Sequence, residues 1–239
     1  MKVNHFVFAD LSTYSPKNSI AFYERLFGWT YYENNKYYTA FLGNTQVSGL
    51  YETPETFKQM RMPHFWMSYI QVENLEHTIT RAKQLGGIVE LNYNMEGFGK
   101  VALIRDVQGA GFTVYEGSQL KNTRTENLKN TLIWNELQVS DVEKVIPFYK
   151  GLFNWTMKPI QNGFYQVLDH KGEHITDIME ISNQYKGKYE YWVCTFGVEC
   201  MTTSKKLVLG NGGSLIYQEK DRMLFSDHSN EAFFYLKEV

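Results

Sequence analysis

At 239 residues the chain is long enough for two domains with cores of their own, and 43% apolar with 16% aromatic residues describes a folded, strand-rich protein rather than a disordered one. With 24 basic and 26 acidic residues and a pI near 6.3 it has no electrostatic footprint for a phosphate backbone, so no nucleic-acid partner is expected. No apolar run approaches the roughly 18 to 20 residues that cross a bilayer, and MKVNHFVFADL lacks the form of a signal peptide; the expectation is a cytoplasmic protein with no membrane partner.

In chain order, HFVFADL (5–11) alternates as a strand does, with Phe6, Phe8 and Asp10 on one side and Val7, Ala9 and Leu11 on the other. Ser15-Pro16 opens a helix carrying Ile20, Tyr23, Leu26 and Phe27 at helical spacing, and Gly28 stops it. The next stretch, to Thr53, has turn signals at Asn34-Asn35 and Gly43-Asn44 and predicts three antiparallel strands. A polar connection follows from Pro54 to Pro63, with a short helix. At His64 the order restarts: HFWMSYIQV is a strand, NLEHTITRAKQL a helix ended by Gly86-Gly87, and three more strands run to Glu116. Residues 117–130 are nearly devoid of apolar side chains and read as a linker.

Everything after the linker repeats. FADLSTYSPKNSIAFYERLFGW (8–29) and WNELQVSDVEKVIPFYKGLFNW (134–155) are equal in length, and Leu11/Leu137, Phe22/Phe148, Tyr23/Tyr149, Phe27/Phe153 and Trp29/Trp155 coincide, with Asp10 opposite Glu136. Trp66/Trp192 and Gly86-Gly87/Gly212-Gly213 keep the same offset of 126, which falls to 121 at Asp106/Asp227. The prediction is an α+β protein of four βαβββ units in two tandem domains, 1–116 and 131–239, joined by the linker 117–130.

The repeated F-Y-x-x-L-F-x-W, the W-x-x-Y-I-x-V strand before a helix ending in Gly-Gly, and D-x-Q-G-A-x-F near the close resemble the vicinal oxygen chelate superfamily. This groups glyoxalase I, the bleomycin-resistance proteins and the extradiol dioxygenases, and the likeness covers essentially the whole chain. It implies that each pair of units forms an open, concave mixed sheet with helices outside and a ligand or metal on the concave side. In metal-dependent members the ligands are His, Gln or Glu at one place in the first strand and one in the last strand of each unit. The first-strand places come out at Phe8, Met67, Trp134 and Val193, and the last-strand places near Gly49, Thr113, Asp177 and Phe234. Only Asp177 among these is a credible ligand, whereas a catalytic cation takes about three, so no metal and no other cofactor is expected.

The candidate ligand-binding residues are therefore Phe8, Asp10, Met67, Tyr69, Thr113, Tyr115, Trp134, Glu136, Asp177 and Phe234, with no catalytic residue identified. Asp10 and Glu136 stand at equivalent places in the two repeats, each beside an aromatic ring, as acceptors or general bases. His5, His64 and His77 look isolated, and His170 and His174 fall in a turn, DHKGEH. Cys194 and Cys200 form no disulfide framework or zinc spacing. The expected function is metal-free binding of an apolar or aromatic small molecule by a monomer or homodimer. The alternatives are a metal-dependent lyase, isomerase or extradiol-type dioxygenase, and a structural protein without ligand.

Overall fold

A computed structural model describes residues 2–96 and 98–239. The first half contributes β1 (Phe6–Thr13), α1 (Pro16–Phe27), β2 (Thr30–Asn34), β3 (Tyr37–Leu42), β4 (Thr45–Glu52) and α2 (Glu55–Gln59). Then come β5 (Phe65–Gln71), α3 (Leu75–Gln84), β6 (Ile88–Met95), β7 (Gly99–Arg105) and β8 (Gly111–Glu116). The second half repeats the order without a counterpart of α2, as β9 (Leu132–Val139), α4 (Val142–Phe153), β10 (Thr156–Gln161), β11 (Phe164–Leu168) and β12 (His174–Glu180). It closes with β13 (Tyr191–Val198), α5 (Met201–Gly210), β14 (Ser214–Gln218), β15 (Arg222–Ser226) and β16 (Phe233–Glu238).

Each half makes one open, mixed, eight-stranded sheet, ordered β2-β3-β4-β1-β5-β8-β7-β6 and β10-β11-β12-β9-β13-β16-β15-β14. The first and last strands of every βαβββ unit pair in parallel, β1 with β4, β5 with β8, β9 with β12 and β13 with β16, because a helix joins the first strand to the rest. That pairing sets four residue pairs side by side on the face away from the helices: Asp10 with Gly49, Tyr69 with Thr113, Glu136 with Asp177, and Thr195 with Tyr235.

Compactness follows a different division. One unit comprises residues 1–7, 68–122 and 135–193, and the other 8–67, 123–134 and 194–239. In the first unit α3 and α4 cover a core that includes Ile70, Ile79, Phe112, Leu137, Phe148, Phe153 and Trp192. In the second, α1 and α5 cover Leu11, Phe22, Phe27, Trp66, Phe196, Val208 and Phe234. Phe6 is in one core and Ala9 and Leu11 are in the other, the odd spacing that alternation along β1 assigns to opposite faces; Leu132 and Leu137 divide in the same way in β9.

The repeated motif residues lock these cores. In the first unit Asp106 accepts the Tyr149 hydroxyl at 2.9 Å and the backbone N–H groups of Gln108, Gly109 and Ala110, while Tyr149 accepts the Trp192 indole N–H at 3.0 Å. In the second, Asp227 accepts the Tyr23 hydroxyl at 3.3 Å and Tyr23 accepts the Trp66 indole N–H at 3.0 Å. Burial pushes the Asp106 carboxyl up and the Tyr149 and Tyr23 phenols well up, and the hydrogen bonds satisfy groups that would otherwise be expensive to bury.

Candidate functional site

The sequence candidates divide between the two units. In the second unit Asp10, on β1, is 1% exposed and accepts the Tyr37 hydroxyl at 3.1 Å. Tyr37 reaches it because its neighbour is glycine: a Cβ on Gly49 would lie 2.0 Å from the Tyr37 hydroxyl oxygen and 2.6 Å from Cζ. The phenol thus lies over the bare backbone of β4, and the Tyr51 ring stacks beside it at 6.3 Å with planes 11° apart. Three side chains of neighbouring strands make a floor of two rings and a carboxylate, and it is half-buried at Tyr37 and Tyr51.

Other candidates in this unit are Phe8 and Met67, both buried, and Trp134, which is half-buried beneath the Arg124 guanidinium at 4.5 Å from the ring centroid. Phe234 is a correction. It is a core residue on the helix side, 5.9 Å from Tyr23 and 6.4 Å from Phe22, and its neighbour Tyr235 is the residue beside Thr195. The loop before β16, Asp227-His-Ser-Asn-Glu-Ala232, is one residue longer than Asp106-Val-Gln-Gly-Ala110, so Phe112 corresponds to Phe234 and Thr113 to Tyr235. Tyr235 is covered by the Arg222 guanidinium at 4.0 Å, and Glu219 holds both Arg222 and the Tyr235 hydroxyl.

In the first unit, Glu136 and Asp177 are nearest neighbours on β9 and β12. Glu136, 1% exposed, accepts the Gln138 amide at 3.0 Å, and Asp177 lies 2.8 Å from His174 Nε2. Burial, followed by the charge of Glu136, raises the Tyr191 phenol far above its ordinary value. Tyr69 and Thr113 are neighbours on β5 and β8, in place of the Met67 and Thr113 positions read from the sequence, and Tyr115 is fully buried. Its hydroxyl donates to the Phe98 carbonyl and accepts the amides of Gln119 and Leu120, which anchors the chain leaving β8.

The divalent metal of the superfamily's enzymes finds a poor donor set on these strands. Asp10 faces a glycine, Tyr69 a threonine, and Thr195 a tyrosine. Only Glu136 and Asp177 pair two carboxylates, one held by Gln138 and the other by His174, and among the described residues no three His, Cys, Asp or Glu side chains gather as ligands. His5 and His64, isolated in the sequence, are both engaged: His5 lies 3.1 Å from Asp169, and His64 lies 3.0 Å from the Thr13 hydroxyl. Sequence reading missed Tyr37, Tyr51, Thr13, Ser19 and His228. For Thr13 and Ser19 the signal was available in the repeat, where Thr13 aligns with Val139 and Ser19 with Val145.

Among the described residues no helix is long and apolar enough to cross a membrane. Residues 2–114 match the model of the Glyoxalase/Bleomycin resistance protein/Dioxygenase superfamily. The protein CFP32 of Mycobacterium tuberculosis is 25% identical over 222 residues, which span 89% of this chain and 84% of that protein. The anthracycline biosynthesis protein DnrV of Streptomyces peucetius is 22% identical over 232 residues, 89% of this chain and 83% of that one. The Mn(II)-bound glyoxalase of Novosphingobium aromaticivorans has the same fold, with a TM-score of 0.66 at 9% identity over 99% of this chain and 82% of that one. The motif-bearing first half is thus similar in sequence to the glyoxalase/bleomycin resistance protein/dioxygenase superfamily, and the second half repeats its strand order.

Proposed function

We propose that the protein binds an apolar or aromatic small molecule on the helix-free face of its sheets without a metal. The observation that carries this is the Tyr37–Gly49–Asp10 arrangement. Where a metal enzyme needs a donor on the last strand, this chain has a glycine with a phenol laid across it, and the adjacent carboxylate is already spoken for by that phenol. Two stacked tyrosines offer a flat apolar surface, and the Asp10 carboxylate is an acceptor for a ligand hydroxyl or amine. That relatives include a protein named for anthracycline biosynthesis is in keeping with an aromatic ligand.

Titration of the full chain with an anthracycline and with simple catechols, followed by Trp fluorescence and calorimetry, tests this. Binding is expected to survive EDTA, and Tyr37→Phe and Asp10→Asn are expected to weaken it by roughly fivefold to tenfold, the scale of one hydrogen bond. Trp134→Ala is expected to weaken it by about 1 to 3 kcal/mol, if the same ligand reaches that ring. Binding or turnover that disappears on chelation and returns with Mn(II) or Fe(II) would favour the lyase, isomerase or dioxygenase alternative, for which the Glu136–Asp177 pair with His174 is the place to mutate first.

A further inference from the structure

At the end of β1, away from that floor, the second unit carries a polar chain through its interior. Thr13 Oγ1 lies 3.0 Å from His64 Nδ1 and 2.9 Å from Ser19 Oγ, and Ser19 Oγ lies 3.0 Å from His228 Nε2. Thr13 and Ser19 are 0% exposed and His64 is 8% exposed, so water does not serve these groups freely. The backbone N–H of Ser15 also donates to Thr13 Oγ1, at 3.2 Å.

The fold does not require this chain. At the corresponding positions the companion unit has Val139 for Thr13, Val145 for Ser19, Val107 for His228 and Glu190 for His64, and Val139 and Val145 are ordinary core residues. Replacing two buried methyl-bearing positions by hydroxyls is unfavourable unless every hydroxyl is satisfied. Here both are, by each other and by two imidazoles.

Counting hydrogens fixes how the chain works. Three links need three hydrogens, and the two hydroxyls supply one each. The third must come from an imidazole, so one ring presents N–H inward while the other presents a lone pair. Two imidazolium ions would both present N–H inward and leave one hydroxyl hydrogen without an acceptor in the chain.

We propose that His64, Thr13, Ser19 and His228 form a proton relay that holds a single added proton between its two imidazoles and passes it from end to end. Transfer begins with His64 as imidazolium and His228 neutral. The His64 Nδ1 proton moves to Thr13 Oγ1, the Thr13 hydrogen moves to Ser19 Oγ, and the Ser19 hydrogen moves to His228 Nε2. Three bonds to hydrogen break and three form, and the charge ends on His228.

The surroundings suit one charge and not two. The Glu231 carboxylate accepts the His64 backbone N–H at 2.9 Å and stands 4.0 Å from His64 Nε2. Asp227 adjoins His228 in sequence and is held by Tyr23 and Ser229. The Tyr14 ring lies against His64 at 4.8 Å, with Lys58 5.9 Å from that ring, and Phe22 lies 5.9 Å from His228. Burial holds the His64 imidazole below its ordinary value; Asp227 and Glu231 oppose that, and His228 adds to it.

Nitrogen-15 and carbon-13 NMR of the imidazoles in the full chain, titrated from pH 8 to 4.5, tests the relay, with His64→Gln and His228→Gln giving the assignments. The two rings are expected to show opposite inward states at neutral pH, and the second proton to bind at least about one pH unit below the first, which is tenfold weaker. Ser19→Ala should break the wire and let each ring titrate alone, while Thr13→Ser, which keeps the hydroxyl, should retain the coupling. Should Ser19→Ala not fold, the inward states in the unaltered protein decide: N–H on both rings or lone pairs on both overturns the relay. Independent single transitions in the unaltered protein, or coupling that persists in folded Ser19→Ala, overturns it as well.

Discussion

Tyr149 links two buried polar groups of one core, since it donates to Asp106 and accepts from Trp192. Tyr149→Phe takes one hydrogen bond from each of these two groups and should lower stability by about 2 to 4 kcal/mol in urea titration, from two lost bonds at 1 to 2 each. Tyr23→Phe should cost less, because its contact with Asp227 is longer, 3.3 Å against 2.9 Å. Single residues also set the pH response. His5 and His64 are held below the ordinary imidazole value of 6.5, chiefly by burial, so the unfolded chain takes up these protons first. Stability is therefore fully present above about pH 6.5 and is lost as pH falls from there toward the folded values. Urea midpoints at pH 7.5 and 5.5 measure this, and equal midpoints would contradict it. At this scale the sequence was only partly legible. Asp10 and Glu136 stood out because a repeat puts acids at matching places. Tyr37 did not, because its reach depends on the absent side chain of a residue on another strand, and His228 did not, because the residues it joins are far away in the chain.

Among elements, α4 shows most directly why its residues form a helix on this surface. Phe148 is 1% exposed and meets Phe112 edge-on, and Gly87 makes room for it, since a Cβ there would lie 2.7 Å from the ring. Phe148→Ala should lower stability by about 3 to 5 kcal/mol, and a loss under 1 kcal/mol would mean the ring is not the anchor described. Pro147 interrupts the same helix where α1 has Ala21. Without an N–H to donate to the turn before it, it weakens α4, so Pro147→Ala should raise stability, by up to about 3 kcal/mol. Helices and strands were largely readable from period and turn residues, including the left-handed cap Gly28, whose counterpart in the structure is Asn154. The register of β16 was not. One extra residue in the loop from Asp227 to Ala232 turned the predicted face over, because a strand's side chains alternate and an error of one reverses them all.

For the whole molecule the sequence showed the duplication but not how its parts are shared. Sheets stay within the halves of the chain, whereas each core draws on both: α3 with α4, and α1 with α5. We therefore propose that the spans 1–116 and 131–239, though each has a complete sheet, are not independent folding domains. Expressed alone, residues 1–116 should leave the apolar faces of α1 and α3 uncovered and should self-associate, which sedimentation would detect; a stable monomer with native-like unfolding cooperativity would sink this. The same sharing sets a timetable on the ribosome. Residues 16–27 of α1 emerge early, but the strands that complete their core end at Glu238, some 200 residues later. At bacterial or eukaryotic elongation speeds that is roughly 10 to 40 s, during which Phe22, Phe27 and Trp29 have no native partner from the second half. The nascent first half must therefore remain soluble, or be sheltered by a chaperone, until β16 has been made.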